Sequence, residues 1–174
     1  MDLPVHRLRP LAVGPARGRL IVPELVVRET TASLRATRGT GGRHEGIVFW
    51  AGLAHASGVL ISLAIAPDSD HGPGHVRVPE CGVLRASRTA RGCGLALLAQ
   101  VHSHPGDDVR HSDGDDDLVL MPFEGMFSLV IARYGTVPIE PGSSVGLHQF
   151  QDGRWLRIQP IELAFIILPP LVRP

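Results

Sequence analysis

There is no lysine in this chain of 174 residues, so all 17 basic side chains are arginine. Arginine codons are favoured in a GC-rich genome, which is the simpler account of that absence. Cysteine is almost missing too: Cys81 and Cys93 are the whole complement. Two thiols cannot build a disulfide framework, and their spacing matches neither a zinc knuckle nor a redox pair, so both are expected as buried free thiols. No excess of either charge exists, with 17 basic against 17 acidic residues and a pI near 7.1. That balance excludes the basic footprint of a nucleic-acid-binding surface and a polybasic membrane patch. Long hydrophobic runs are also lacking. The apolar stretch from Leu163 to Val172 is too short to span a bilayer and contains Pro169-Pro170. The amino terminus, Met1-Asp2-Leu3-Pro4, has none of the basic-then-apolar order of a secretory signal. The expectation is a soluble cytoplasmic protein with neither a membrane nor a nucleic acid as partner.

What is present suffices for a core. Apolar residues make up 44% of the chain, and the length suits one domain spanning residues 1–174. Residues 1–19 read as an irregular lead into a short strand from Leu20 to Val22. Pro23-Glu24 then sits like a helix first turn, with a helix running to about Arg38 despite β-branched Val27, Thr30 and Thr31. Glycines between Gly39 and Arg43 break the chain before two apolar runs, Gly46 to Leu53 and Val59 to Ala66, which predict an antiparallel pair. Pro67 to Gly74 is a surface loop by composition, and Glu80 to Arg91 a helix closing at Gly92. Leu95 to Val101 is a central strand, apolar on both faces. A helix of about ten residues starts at Ser112, Phe127 to Tyr134 is a strand, and Gln149 to Ile158 is a hairpin arm turning at Asp152-Gly153. The tail from Ile161 to Val172 is either a last strand or a partner-binding segment. Strands interleaved with two or three helices predict an α/β domain built on a curved mixed sheet.

The densest chemistry lies in His102-Ser103-His104-Pro105, followed after six residues by Ser112-Asp113-Gly114-Asp115. Two His at i and i+2 project from one face of an extended strand, about 6.6 Å apart along it, close enough to converge on one ion. A carboxylate arrives from a separate element. Two His and one Asp give Zn²⁺ three protein ligands and an open position for water, which marks a catalytic rather than a structural site. On spacing alone Asp113, Asp116 and Asp117 compete with Asp115. Carboxylates in a first helical turn also simply complement the macrodipole. Ser112, three residues before Asp115, reads as a helix N-cap. His111 beside it is expected to face solvent.

The pattern His-x-His-Pro-x6-Ser-x2-Asp resembles the signature of the JAB/MPN metalloproteases, also called the JAMM family. In this composition such a match arises by accident on the order of once in ten thousand shuffles. It covers about a dozen residues directly, the remainder agreeing only in element order. The resemblance implies an MPN-like fold of cytidine-deaminase-like architecture, with His102, His104 and Asp115 as zinc ligands. It implies that Ser112 donates to the oxygen of a tetrahedral intermediate, and that Asp113, Asp116 and Asp117 are left solvated. It further implies a glutamate general base from an early strand. Glu45, at the entry of Gly46-Ile47-Val48-Phe49-Trp50-Ala51-Gly52, is the candidate. Members often place Gly three residues after this Glu, where Val48 stands here; Gly52, seven residues on, fits.

The activity implied is cleavage after the C-terminus of ubiquitin or a ubiquitin-like protein. The short chain is similar to compact bacterial members that accompany E1- and E2-like enzymes in conjugation systems, antiphage ones included. For a protein acting on lysine-linked conjugates, a chain without lysine would also escape conjugation. Two other classes share parts of the pattern. RadC-like, DNA-repair-associated proteins have nearly the same spacing, but the balanced charge offers DNA no footprint. Non-catalytic MPN scaffolds usually lack one or more ligands, and all are present here. A zinc deaminase fits less well, because no His-x-Glu or Pro-Cys-x2-Cys element occurs.

Overall fold

The structure, a computed structural model, describes residues 9–117 and 122–170, the side chain of Asp117 excepted. In chain order its elements are β1 (Val13–Gly14), β2 (Arg19–Pro23), α1 (Glu24–Ala36), β3 (Arg38–Gly39), β4 (Gly42–Arg43), β5 (Ile47–His55), β6 (Gly58–Ile65), β7 (Asp70–Gly72) and β8 (His75–Arg77). They continue with α2 (Glu80–Gly92), β9 (Ala96–Ser103), α3 (Asp113–Asp117), β10 (Phe127–Ile131), β11 (Val145–Gln151), β12 (Arg154–Ile158), α4 (Ile161–Ala164) and β13 (Phe165–Leu168). Among the described residues, nine strands make one mixed sheet in the order β1-β12-β11-β10-β9-β5-β6-β2-β13. The pairs β3–β4 and β7–β8 are small separate hairpins. The α/β class and curved mixed sheet expected from the sequence are what the chain adopts.

Strand β9 is the centre, parallel to β10 and antiparallel to β5. Because side chains alternate along a strand, register assigns each one a face. Trp50 pairs with Ala99 and Val48 with Val101; Leu129 pairs with both Val101 and Leu147. These residues form the apolar face, completed by α1. The other face is polar and still buried: Gln100 pairs with Ser128, and Ser128 with His148. The prediction of a β9 apolar on both sides is therefore corrected at Gln100. That residue survives in the interior because its amide donates to Ser128 Oγ at 3.1 Å.

Helix α1 buries Val26, Val27, Thr30 and Leu34, a stripe at helical spacing. Its β-branched residues are reconciled with the helix by back-bonding: Thr30 and Thr31 donate to the carbonyls of Val26 and Val27 at 2.8 and 2.9 Å. Thr30 also accepts from the buried Trp50 Nε1 at 2.7 Å, which ties α1 to β5. Gly52 sits at the irregularity where β5 shifts register; a Cβ there would run into the Leu60 carbonyl of β6. In α2 the buried stripe is Gly82, Ala86 and Ala90. Cys81 lies off that stripe and Cys93 beyond the helix end, so both thiols are exposed and the expectation of buried cysteines is wrong.

Other boundaries moved for local reasons. The strand expected from Phe127 to Tyr134 stops at Ile131, because Arg133 and Tyr134 take left-handed φ angles of 54° and 57° and turn the chain back. Within the loop expected from Pro67 to Gly74, three residues form β7. The tail from Ile161 onward becomes α4 and then β13, parallel to β2; residues 171–174 lie outside the described part. The helix expected at Ser112 is described over Asp113–Asp117, and residues 118–121 lie outside.

Thr30→Val keeps the shape of its site but strands the Trp50 N–H in the core. Chemical denaturation should show a loss of about 1–3 kcal/mol, the usual cost of an unsatisfied buried donor. An unchanged midpoint would mean that this bond does not secure α1.

Candidate metal centre

Strand β9 ends in the His pair, with His102 in its last turn of pleat and His104 one residue past it. The β5–β9 register pairs Ile47 with His102. Continued by one step, it sets Gly46 beside Ser103, where Ser103 N–H donates to Gly46 O and Gly46 N–H to Ser103 Oγ, each at 3.0 Å. One further step brings Glu45 level with His104. Antiparallel pairing thus joins residues far apart in sequence, and no local pattern could have done so.

The three candidate ligands converge. His102 Nε2 and His104 Nε2 are 3.2 Å apart. Asp115 places Oδ1 3.3 Å from His102 Nε2 and Oδ2 3.2 Å from His104 Nε2. Tetrahedral zinc holds N and O ligands at about 2.0–2.1 Å, which puts neighbouring donors about 3.3 Å apart, and the two imidazole nitrogens stand at that separation with a carboxylate oxygen at a like distance from each. Ring orientation agrees. His104 Nδ1 donates to the Asp108 carbonyl at 2.8 Å, which orients the ring so that Nε2 faces His102 and Asp115. Both rings are buried. Among the described residues this is the one cluster of three such groups able to grip an ion.

The electrostatics follow from this crowding. Burial alone would lower the His104 imidazole, yet its bond to Asp115 and the charge of that carboxylate raise it above the ordinary value. For Asp115 burial works upward, but attraction to His102 and hydrogen bonds from both imidazoles hold it well below the carboxylate range. A proton on the His104 ring thus does part of what a cation would do.

Asp115 is locked from its own helix as well. Ser112 N–H donates to Asp115 Oδ2 at 2.6 Å, and Asp115 N–H to Ser112 Oγ at 3.1 Å, a reciprocal capping box. The N-cap reading of Ser112 is what the structure contains. Capping uses an oxygen lone pair, which is compatible with donation from the same hydroxyl. Glu45 is only 6% exposed. Burial pushes its carboxyl up to about 8, with His104 opposing and Asp115 reinforcing the rise. Its backbone N–H donates to Gly72 O at 2.9 Å, so the β7–β8 hairpin holds it in place. Tyr134 bridges the same elements: its N–H donates to His104 O at 2.7 Å and its hydroxyl to Pro73 O at 2.8 Å.

Three neighbours escaped the sequence reading. His111, expected in solvent, is 0% exposed, and Asp116, expected to be solvated, bonds to it at 3.0 Å. His148, stacked on His111 with ring centroids 4.0 Å apart, was not singled out. The cause is Gly146 on β11, where a side chain would collide with the Val109 carbonyl. Glycine lets the charged loop before α3 lie flat on the polar face of the sheet, and that burial has no signature in local hydropathy.

The chain is 32% identical over 127 residues to probable metalloprotease y4jG of Sinorhizobium fredii, covering 68% of this chain and 74% of that protein. A solution structure of protein DSY2949 from Desulfitobacterium hafniense overlays with a TM-score of 0.64 at 18% identity, covering 87% of this chain and 95% of that one. A JAB1/MPN domain protein, AF2198 from Archaeoglobus fulgidus, overlays with a TM-score of 0.49 at 10% identity, covering 86% of this chain and 98% of that one. No family model matches the chain.

The raised Glu45 carboxyl carries a stability signature. From about pH 5 to 8 the folded, metal-free protein keeps a proton that the unfolded chain releases, so stability falls as pH rises. His104, also raised, acts in the same direction, whereas the contribution of Asp115 is already complete above its ordinary value and is lost only on acidification. The melting temperature in chelator should therefore decline between pH 5.5 and 8.5, and Glu45→Gln should flatten the decline. A flat wild-type profile would contradict the burial of that carboxyl.

Proposed function

This chain belongs to the JAB/MPN-like metalloprotease family, and we propose that it is a zinc-dependent peptidase and isopeptidase cutting after the C-terminus of a ubiquitin-like modifier. The reaction either frees the modifier from a conjugate or matures its precursor. The observation that carries this reading is the triangle of His102, His104 and Asp115 with the buried Glu45 beside it. Two imidazoles and one carboxylate leave a coordination position open, and the donor spacing suits zinc.

When bound, zinc acidifies a water and polarises a carbonyl. Glu45 accepts the proton as water attacks the scissile carbonyl, then returns it to the departing amine. Burial raises the Glu45 carboxyl to about 8, and a cation beside it would oppose that rise and favour the ionised form a general base needs. Ser112 donates to the developing oxyanion. No covalent acyl-enzyme forms, so Cys81 and Cys93, both exposed, have no chemical part.

Burial of the ligand rings supports a slender substrate, since an extended tail of small residues reaches atoms that a folded surface does not. Strand addition at a sheet edge would let the enzyme hold such a tail by its backbone. The setting we favour is a bacterial ubiquitin-like conjugation system, antiphage ones included, with E1- and E2-like proteins as companions.

The test is cleavage of a ubiquitin-like precursor or conjugate from the same gene neighbourhood by zinc-loaded protein. Chelator should abolish cleavage and added zinc restore it. Glu45→Ala should slow turnover about 100- to 10,000-fold. Ser112→Ala should lower kcat about 100- to 1,000-fold with little change in KM. Alkylation of both thiols should leave the rate intact. Undiminished cleavage by Glu45→Ala would remove it as the base, and a zinc-loaded protein that cuts nothing would favour a scaffold.

A further inference from the structure

We infer that His111 is a positioning residue of the metal centre, a buried imidazole bonded at both ring nitrogens that fastens the Asp115 helix to the sheet. This rests on the reading above for the roles of Asp115 and Ser112; the role of His111 rests on separate observations.

Over its described residues, Asp113-Gly114-Asp115-Asp116-Asp117, helix α3 offers no apolar side chain to bury and includes a glycine. A stretch of that composition has no hydrophobic grip of its own on a sheet. Yet it carries the third ligand, whose carboxylate must meet two imidazoles to within a few tenths of an ångström.

His111, one residue ahead of the capping Ser112, supplies the grip. An ionised Asp116 only accepts, so His111 Nδ1 donates to Asp116 Oδ1 at 3.0 Å. Nε2 then accepts from Ser128 Oγ at 2.8 Å, and Ser128 accepts from Gln100 Nε2 at 3.1 Å. Every donor in this chain of bonds meets an acceptor. The ring stacks on His148 at 4.0 Å and meets Trp155 edge-on at 5.0 Å. Its centroid lies 6.0 Å from that of His102. One side chain therefore engages β10, β11 and β12, and through Asp116 also α3. His111 and Asp116 bracket Ser112 and Asp115, so clamping the outer pair clamps the inner one.

The bonding order Ser128–His111–Asp116 matches that of a nucleophilic triad. Ser128 is 0% exposed in the middle of a sheet strand, so no substrate carbonyl reaches it. The same bonds serve here to set position. A polar fastener suits the task because two fixed ring nitrogens define the rotation of the ring as well as its depth.

The test measures zinc affinity by competition with a chromophoric chelator and geometry by the visible spectrum of the Co²⁺-loaded protein. Asp116→Ala removes one arm of the clamp from a half-buried position. It should weaken zinc binding about 10- to 100-fold, as loss of an outer-shell partner does, and move the Co²⁺ bands while the metal-free melting temperature stays put. His111→Phe keeps the stacked ring and loses both bonds, and should fall at least as far. His111→Gln, whose amide can reach Ser128, should recover part of the loss. Wild-type affinity and an unmoved spectrum in Asp116→Ala and His111→Phe would overturn the inference. If His111→Phe does not fold, Asp116→Ala and Ser128→Ala decide. If the wild-type protein takes up no metal, the metalloprotease reading fails, and hydrogen exchange at the Asp115 amide decides on His111. Faster exchange in Asp116→Ala would support the clamp, and unchanged exchange would sink it.

Discussion

Two imidazole nitrogens 3.2 Å apart, with a different oxygen of the Asp115 carboxylate within 3.3 Å of each, form the constraint on which the rest depends. Such an arrangement is repulsive unless something positive lies between the atoms. A proton can serve, and His104 accordingly holds its proton more tightly than usual while Asp115 gives its own up. The fold supplies the force that keeps the atoms there. Strand pairing fixes His102, the Asp108 carbonyl orients His104, and the capping box with Ser112 orients Asp115. Each bond is modest alone, about 0.5–1.5 kcal/mol net. Together they leave the donor set one geometry.

The sheet divides its labour by face. Val48, Trp50, Val101, Leu129 and Leu147 build the apolar side under α1, where burial stabilises the fold at roughly 1.5–3 kcal/mol per large side chain. The opposite side carries Gln100, Ser128, His102 and His148, and stability there depends on satisfied hydrogen bonds. Gly146 makes this second side usable, because only a residue without a Cβ lets the Val109 carbonyl approach β11. A stable face thus supports a chemically specialised one across a single layer of backbone.

The grouping of His102, His104 and Asp115 was legible because its signal is local: His-x-His at a strand end and Asp115 at a fixed offset need no tertiary information. Most elements were legible for the same reason, since hydrophobic period and glycine or proline punctuation act over a few residues. Glu45 was reachable only through the family resemblance, and register explains it afterwards, because the Ile47–His102 pairing carries it to the site. His111 and Asp116 were misread as solvent-facing because a loop of Gly, Asp, Arg and His has the composition of a surface. Their burial is decided on β11 and β10, by Gly146, His148 and Ser128. The cysteines were misread because a small apolar residue was assumed to lie inside, whereas the Gly82, Ala86 and Ala90 stripe had already claimed the inner face of α2.

The most direct test of the central claim is anomalous scattering at the zinc edge from crystals grown with zinc. The account predicts a single strong peak about 2.0–2.1 Å from His102 Nε2, His104 Nε2 and one oxygen of Asp115. No peak there, or a zinc ion bound elsewhere while these three side chains stand apart, would contradict it.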